Sequence, residues 1–535
     1  MSVQFGSNIL ILIGIFLLAP ASEAIELQRS DSTEYSVVDE SFEGWIIDSI
    51  EIDNRNIYDL ENKRYQGYLF RTANRLHVVT REWIVRQELL FAVGDRLAQS
   101  LIEETARNLR LRFPLNDARI EVLKLATGRV LVRVVTVDQW SLIGGVRSIS
   151  LDGNETNFQI GFEERNLIGR AQFLSFDFFA RGDDPNYVQL TYREPRVLGH
   201  SVGVGLYYRT DPTNSLKQAE ITRPYYSLAQ NLSFDISVAE HSCRVERLNP
   251  TGDVIAQWTS SGETVRLNGG YRVGPSYRKT LIYGDYKYLY KAVVGDSEYG
   301  VDSVYHRFTV GLAQAWQEFI IEKRIRGFGY TEDFALGLSL GISYGRAFLP
   351  GFRGYLFDKA HGKMSGRWKL GHNLLGAEYS RIFWFKGSNE IRRQYGLTLT
   401  LYNNQWHHAT WAVRSRYLFD RDGENLNVIL GGENGLRGYP SESLAGDRSH
   451  VVNIESRLFF GLELLSVKIG SALFVDIGRT WQPDETLAFR DYHLSGGAGL
   501  RLSLENFLKG EIIRVDVILA EGGNWELSFG TGQYF

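Results

Sequence analysis

The sequence predicts a small α+β domain followed by a transmembrane antiparallel β-barrel, and three observations carry that expectation. First, the last eleven residues alternate, with Trp525, Leu527, Phe529 and Phe535 at odd positions and Glu526, Ser528, Gly530 and Gly532 at even ones. Period-two alternation is the mark of a strand with one apolar and one polar side. A terminal aromatic also suits the closing strand of an outer-membrane barrel, where aromatic rings sit at the interface. Second, the same alternation recurs along most of the chain after Trp140. Third, Ile9 to Leu18 is a short apolar run followed by Ser22-Glu23-Ala24, the pattern of a secretory signal peptide.

Composition agrees. The 535 residues are 23% charged and 13% aromatic, with a mean hydropathy of -0.21. That excludes a helical membrane bundle, which needs several runs of about 20 apolar residues. The counts of 54 Gly, 28 Tyr and 30 Phe against 11 Pro suit a barrel with aromatic girdles. A net charge of -4 is too small to imply a nucleic-acid partner. Cys243 is the only cysteine, so an internal disulfide and a multi-thiolate zinc site are excluded. His241 lies two residues away and would share a strand face with Cys243, yet an exported chain avoiding thiols explains the pair better than catalysis. No cofactor, metal or enzymatic activity is expected.

Taken in order, residues 1–24 read as signal peptide and 25–44 as an acidic, flexible lead. Residues 45–140 read as a compact domain. Ile47, Ile50 and Ile52 mark a strand, and Thr80 precedes a helix holding Trp83, Ile84, Leu89, Leu90 and Phe91. Ser100 and Glu103 form a capping box for a second helix with the stripe Leu101, Ile102, Thr105 and Leu109. Strands over 118–123 and 130–137 follow. Residues 141–535 read as the barrel. Leu174, Phe176 and Phe178 alternate with Ser175 and Asp177; Leu336, Leu338, Leu340 and Ile342 alternate with Gly337, Ser339 and Gly341. Punctuation at Asn166, Pro195 and Pro224 recurs at intervals of 29 residues, the length of a barrel hairpin with its loops. Between about 16 and 19 strands fit this pattern. Gly337-Leu338-Ser339-Leu340-Gly341 matches a nucleophile-elbow pattern, but its Ser lies mid-strand instead of on a strand-to-helix turn.

The segment Gly431 to Pro440 presents one Arg and one aromatic among glycines that preclude regular strand. It lacks the Gly-Lys-Ser/Thr of a phosphate loop. On strands that follow, Asn453, Glu455 and Arg457 share a face, as do Phe474 and Asp476, Gly497, Gly499 and Arg501, and Arg514 and Asp516. Charges facing lipid are costly, about 2–4 kcal/mol for Arg at the midplane. These residues are therefore expected to point inward, with the Arg437 guanidinium meeting Asp476 and Glu455 in planar charge-assisted pairs.

These stretches resemble the BamA/TamA-type superfamily of outer-membrane assembly and translocation proteins. Leu436-Arg437-Gly438-Tyr439 is similar to its lumen loop, with Glu455, Asp476 and Arg501 as partners. Phe474 to Gly478 and Gly497 to Arg501 are similar to its partner strands. The terminal strand with Trp525, Leu527, Phe529 and Phe535 resembles its targeting signal, and residues 45–140 resemble a POTRA domain. The resemblance implies a barrel of about 16 strands in the Gram-negative outer membrane with its POTRA domain in the periplasm. It implies insertion or translocation of unfolded outer-membrane or exported polypeptides by strand-edge pairing. Outer-membrane lipids would be partners too, and periplasmic chaperones or lipoproteins candidate ones. A single POTRA domain, and an apparent insertion over Asp59 to Val79, are departures. The alternative is a dedicated two-partner-type secretion transporter or a passive pore.

Overall fold

The computed structural model describes residues 42–535 apart from 113, 153–154, 181–184, 249–253, 296–302, 353, 423–424, 427, 441–443, 483–484, 486–490 and 505–510. The expected signal peptide and nearly all of the expected lead lie outside the described residues.

The N-terminal unit has three strands, β1 (Ile46–Arg55), β2 (Leu115–Ala126) and β3 (Arg129–Asp138), in the order β1-β3-β2. β1 runs parallel to β3, and β2 antiparallel to it. Helices α1 (Tyr68–Leu76), α2 (Glu82–Arg86) and α3 (Gln99–Arg112) accompany the sheet. Alternation on β3 turns Val130, Val132 and Val134 to one face, where Ile47 and Ile120 flank them on the neighbouring strands and Ile102 and Leu109 of α3 join the cluster. Burial of each such side chain contributes about 1.5–3 kcal/mol. Two local expectations change. The helix after Thr80 lasts only five residues; beyond it the chain is irregular because Phe91 dives into the core and the Leu90 N–H donates to Thr105 Oγ1. The capping box does not form, because α3 already starts at Gln99, whose N–H donates to Glu43 Oε2 at 2.9 Å.

The large sheet begins with the short hairpins β4 (Leu142–Asp152), β5 (Glu155–Glu164), β6 (Phe173–Ala180), β7 (Tyr187–Glu194), β8 (Gly203–Arg209) and β9 (Asn214–Arg223). Longer strands follow: β10 (Leu232–Leu248), β11 (Val254–Val273), β12 (Arg278–Gly295), β13 (Ser303–Glu322), β14 (Glu332–Phe348), β15 (Tyr355–Leu370), β16 (Asn373–Lys386), β17 (Asn389–Trp406) and β18 (Ala409–Asp422). The short β19 (Asn425–Leu426) extends the β18 end, and β20 (Val428–Leu430) pairs with β21 (Leu444–Gly446) off the main sheet. The last five strands are β22 (Arg448–Leu464), β23 (Val467–Trp481), β24 (His493–Ser503), β25 (Ile512–Ala520) and β26 (Trp525–Thr531).

Leaving aside β19, this is one antiparallel sheet of twenty strands, each beside its chain neighbours, with β22 against β18 and β26 next to β4 in the order. The expected count of about 16 is therefore too low. The β4–β9 stretch spends only seven to eleven residues per strand, so more strands fit into the same length. Sequence alternation is weakest in such short segments.

The face on which residues 431–440 pack is here the inner face. Its opposite carries exposed apolar side chains, among them Leu267, Ile282, Val310, Leu473 and Val517. The alternation between a polar inside and an apolar outside is seen at Ser175 and Asp177, both buried, against exposed Phe176. It fails once in the expected runs: Ile342 is outward, but Leu336 is buried with Phe334, Ile325 and Phe535. A positive φ at Gly337 separates the two. Ser339 sits inside β14, as a strand residue.

The three punctuation marks spaced 29 apart are the β5–β6, β7–β8 and β9–β10 turns, and all three receive the N-terminal unit. Asn166 Nδ2 donates to Val78 O and Thr80 Oγ1 at 3.1 and 2.9 Å. Arg196 pairs with Glu88. Asn108 Nδ2 and Arg112 Nη2 donate to the Tyr226 and Tyr225 carbonyls at 2.8 and 2.7 Å. Farther round the same rim, Arg110 grips Asp333 with two bonds of 2.9 and 2.6 Å. The Asp59–Val79 segment carries α1 and sets Tyr65 OH against Glu463 at 2.9 Å.

Candidate functional site: the Arg437 clamp on the inner face

Between β20 and β21 the chain leaves the sheet and turns inward. Gly431, Gly432, Gly435 and Gly438 all have positive φ, a region closed to most L residues. Gly438 is the tightest of these: a Cβ there would stand 2.8 Å from Ile518 Cγ2. The turn drives Leu436 into full burial and aims Arg437 at the wall of β22 and β23.

Arg437 makes a fork with Asp476, Nε to Oδ2 at 2.6 Å and Nη2 to Oδ1 at 2.8 Å. Its Nη1 donates to Glu455 Oε1 at 2.8 Å. The guanidinium lies between two rings, 3.7 Å from the Phe474 centroid and 3.9 Å from that of Tyr534. Arg437 is 3% exposed, and Glu455 and Asp476 are fully buried. Burial alone would lower the Arg437 pKa. The Asp476 hydrogen bond and the charges of Asp476 and Glu455 outweigh it and raise the pKa above the ordinary value. Buried charges persist only when paired and hydrogen-bonded in this way.

A second layer fixes the acids. Asn453 Nδ2 donates to Asp476 Oδ1 at 2.7 Å and to the Gly435 carbonyl at 2.8 Å. Arg457 Nε donates to Glu455 Oε2 at 3.1 Å. Its other nitrogens reach the Ile325 carbonyl at 2.7 Å and Phe535 O at 2.6 Å. Arg457 thus joins the clamp, the β13–β14 connection and the chain end.

The residues singled out from sequence fall into three groups. Leu436, Arg437, Gly438, Glu455 and Asp476 come together as described. Tyr439 is at the edge, its OH 3.2 Å from the Leu494 carbonyl and 3.3 Å from Glu521. Arg501 does not touch the turn; it pairs with Asp516 at 2.5 Å, and Asp516 stands 4.0 Å from Arg437. The reason is distance along the sheet: β24 lies two strands from β22, so the nearer β25 acid captures Arg501.

The terminal residues divide likewise. Trp525 and Leu527 are exposed on the outer face of β26, and Phe529 is partly buried. Phe535 is not at an outer interface. β26 stops at Thr531, Gly532 turns the chain with φ +75, and Phe535 packs inward on Ile325 and Phe334. Sequence reasoning also missed Tyr534. Its hydroxyl accepts from the Gly435 N–H at 3.0 Å and donates to the Gly432 carbonyl at 2.7 Å. Gly530 and Gly532 flanking the end of the alternation were the signal that the strand stops before it.

No protein-family model matches the sequence, and no curated protein does. Solved structures match over most of the chain. BamA from Haemophilus ducreyi lacking POTRA domains 1-3 matches at 12% identity over 91% of this chain and 84% of that one, with a TM-score of 0.35. CdiB from Acinetobacter baumannii matches at 13% over 91% and 74%, TM-score 0.42. CdiB from Escherichia coli matches at 14% over 91% and 75%, TM-score 0.43.

Proposed function

We propose that this chain is a non-enzymatic outer-membrane protein of the BamA/TamA type, with its N-terminal unit as a single periplasmic POTRA domain. It assists insertion or translocation of polypeptides by strand-edge pairing. In this reading the twenty-stranded sheet is a closed barrel, sealed where β26 adjoins β4.

The observation that carries the proposal is the unequal height of the sheet. β26 has seven residues and β25 nine, whereas β11 and β13 have twenty each. At about 3.3 Å per residue, seven residues reach about 23 Å, and a tilt near 45° leaves roughly 16 Å along the membrane normal. That is well short of the apolar band of about 25 Å that outer-membrane barrels present. Lipid beside β26 would therefore be thin and poorly matched, and the backbone pairing there short. A client strand whose N–H and C=O groups cannot be left bare in hydrocarbon gains partners at such an edge.

A second edge supports the reading. Among the described residues β2 has β3 on one side only, and its outer half exposes Leu123 and Leu125. An extended peptide can add to such an edge. The Arg437 clamp would hold the β22–β25 wall in shape next to the seam. Depletion of the protein, followed by quantification of all outer-membrane proteins, tests the proposal. General loss supports assembly. Loss of one exported protein alone supports the dedicated transporter instead, and no loss at all sinks both.

A further inference from the structure

Cross-strand partners share a face, so pairing traces the inner surface across the sheet. From Glu455 it runs through Ala412, Tyr402 and Leu374 to Lys369 on β15. Lys359 lies ten residues along the same strand, an even number, and so shares that face. From Lys359 the row continues through Gly345 and Thr309 to Asp285. In the neighbouring row Arg266 stands directly opposite Lys287, and Lys287 directly opposite Arg307.

Three cations abreast on adjacent strands is an arrangement that sheets avoid, since like charges directly opposite repel. One acid is shared among them: Asp285 accepts from Arg266 Nε at 2.7 Å and from Arg307 Nη2 at 3.1 Å. Among the described residues Lys287 has no hydrogen bond or ion pair. Lys359 lies 4.9 Å from the Trp384 ring and within the electrostatic reach of Arg307, Lys287 and Arg266. Between these cations β14 contributes only Gly345 and Ala347 to the inner face, and Lys287, Arg307 and Lys359 are each partly exposed. In these two rows four cations face the single carboxylate of Asp285, and the next acid along its row is Asp235 on β10, so the patch carries a positive field. Positive walls with few counter-charges concentrate anions.

We propose that the inner face of β11–β15 is a binding site for acidic segments of polypeptide, with Lys287 and Lys359 as its free cations and Arg266 and Arg307 as its flanks. The assignment to polypeptide, instead of another acidic polymer, rests on the function proposed above. The carboxylates of an extended acidic segment would take the place of the counter-charges that the sheet itself lacks.

The test uses the full-length protein in detergent micelles, titrated with fluorescein-labelled decaglutamate and read by anisotropy. Binding is expected, weaker at higher salt, and reduced by about tenfold or more in the double variant Lys287→Glu, Lys359→Glu, because charge reversal adds repulsion. The single variants Lys287→Gln and Lys359→Gln, with folding checked by heat-modifiable gel mobility, should each reduce it by a smaller factor. Absence of binding, or equal affinity in all the variants, overturns the site. Polygalacturonate binding as tightly as decaglutamate overturns the polypeptide assignment. The titration needs neither client nor cells, so its failure is separate from a failure of the depletion experiment.

Discussion

Two stretches of one inner face handle charge in opposite ways. On β22–β25, Glu455, Asp476 and Asp516 are met by Arg437, Arg457 and Arg501, and every one of these side chains is at most 3% exposed. On β11–β13, Arg266, Lys287 and Arg307 stand abreast with one shared acid, and the Arg266 and Arg307 side chains are 49% and 17% exposed. Cover by the folded-in turn accounts for the contrast. Where a folded-in turn removes water, each charge must have a hydrogen-bonded opposite, because an unpaired buried ion is costly. Where the side chains stay partly exposed, solvent screens like charges and lets them stand together. The first wall uses charge to fix shape; the second keeps it available.

The largest effect is expected at Arg437. Arg437→Ala strips Asp476 of its forked partner and leaves Glu455 with Arg457 alone, and we expect a loss of about 3–5 kcal/mol, less where water enters. Thermal unfolding in detergent, followed by gel mobility, reads it; a melting curve unchanged from the parent would rule out the clamp. Gly438→Ala comes next. A side chain at φ +82, pressed on Ile518 Cγ2, should cost about 1–3 kcal/mol in the same measurement. Tyr534→Phe keeps the ring over Arg437 but strips the Gly435 N–H of its acceptor. About 1–2 kcal/mol is expected, and a neutral result would mean that the stacked ring alone holds the turn. The smallest effect is assigned to the other wall. Lys287→Gln removes a like-charge neighbour and should leave stability unchanged or raise it by about 0.2–1 kcal/mol. A clear loss there would mean that the two walls are alike after all.

Much of this was legible in the residues themselves. Alternation located the strands, because a sheet with unlike surroundings on its two sides must place residue types with period two. The need to keep charge off the apolar side put Glu455, Asp476 and Arg437 on the same face. The 29-residue spacing of Asn166, Pro195 and Pro224 marked three turns at one rim, although nothing in that spacing said that Thr80, Glu88 and Asn108 would dock on them. Strand number was misread where strands are short. The helix after Thr80 was overextended, because the apolar run Leu89 to Phe91 serves the core without helical geometry.

By itself, then, the order of amino acids determined which segments pair locally and which side of each faces water, since both follow from short-range periodicity. Only the tertiary structure decided that Phe535 turns inward, that Tyr534 caps Arg437, that Arg501 belongs to Asp516, and that Arg266, Lys287 and Arg307 stand in one row. Those outcomes depend on register between strands far apart in the chain and on where a terminal strand stops. A shift of one residue in that register would send each side chain to the opposite face.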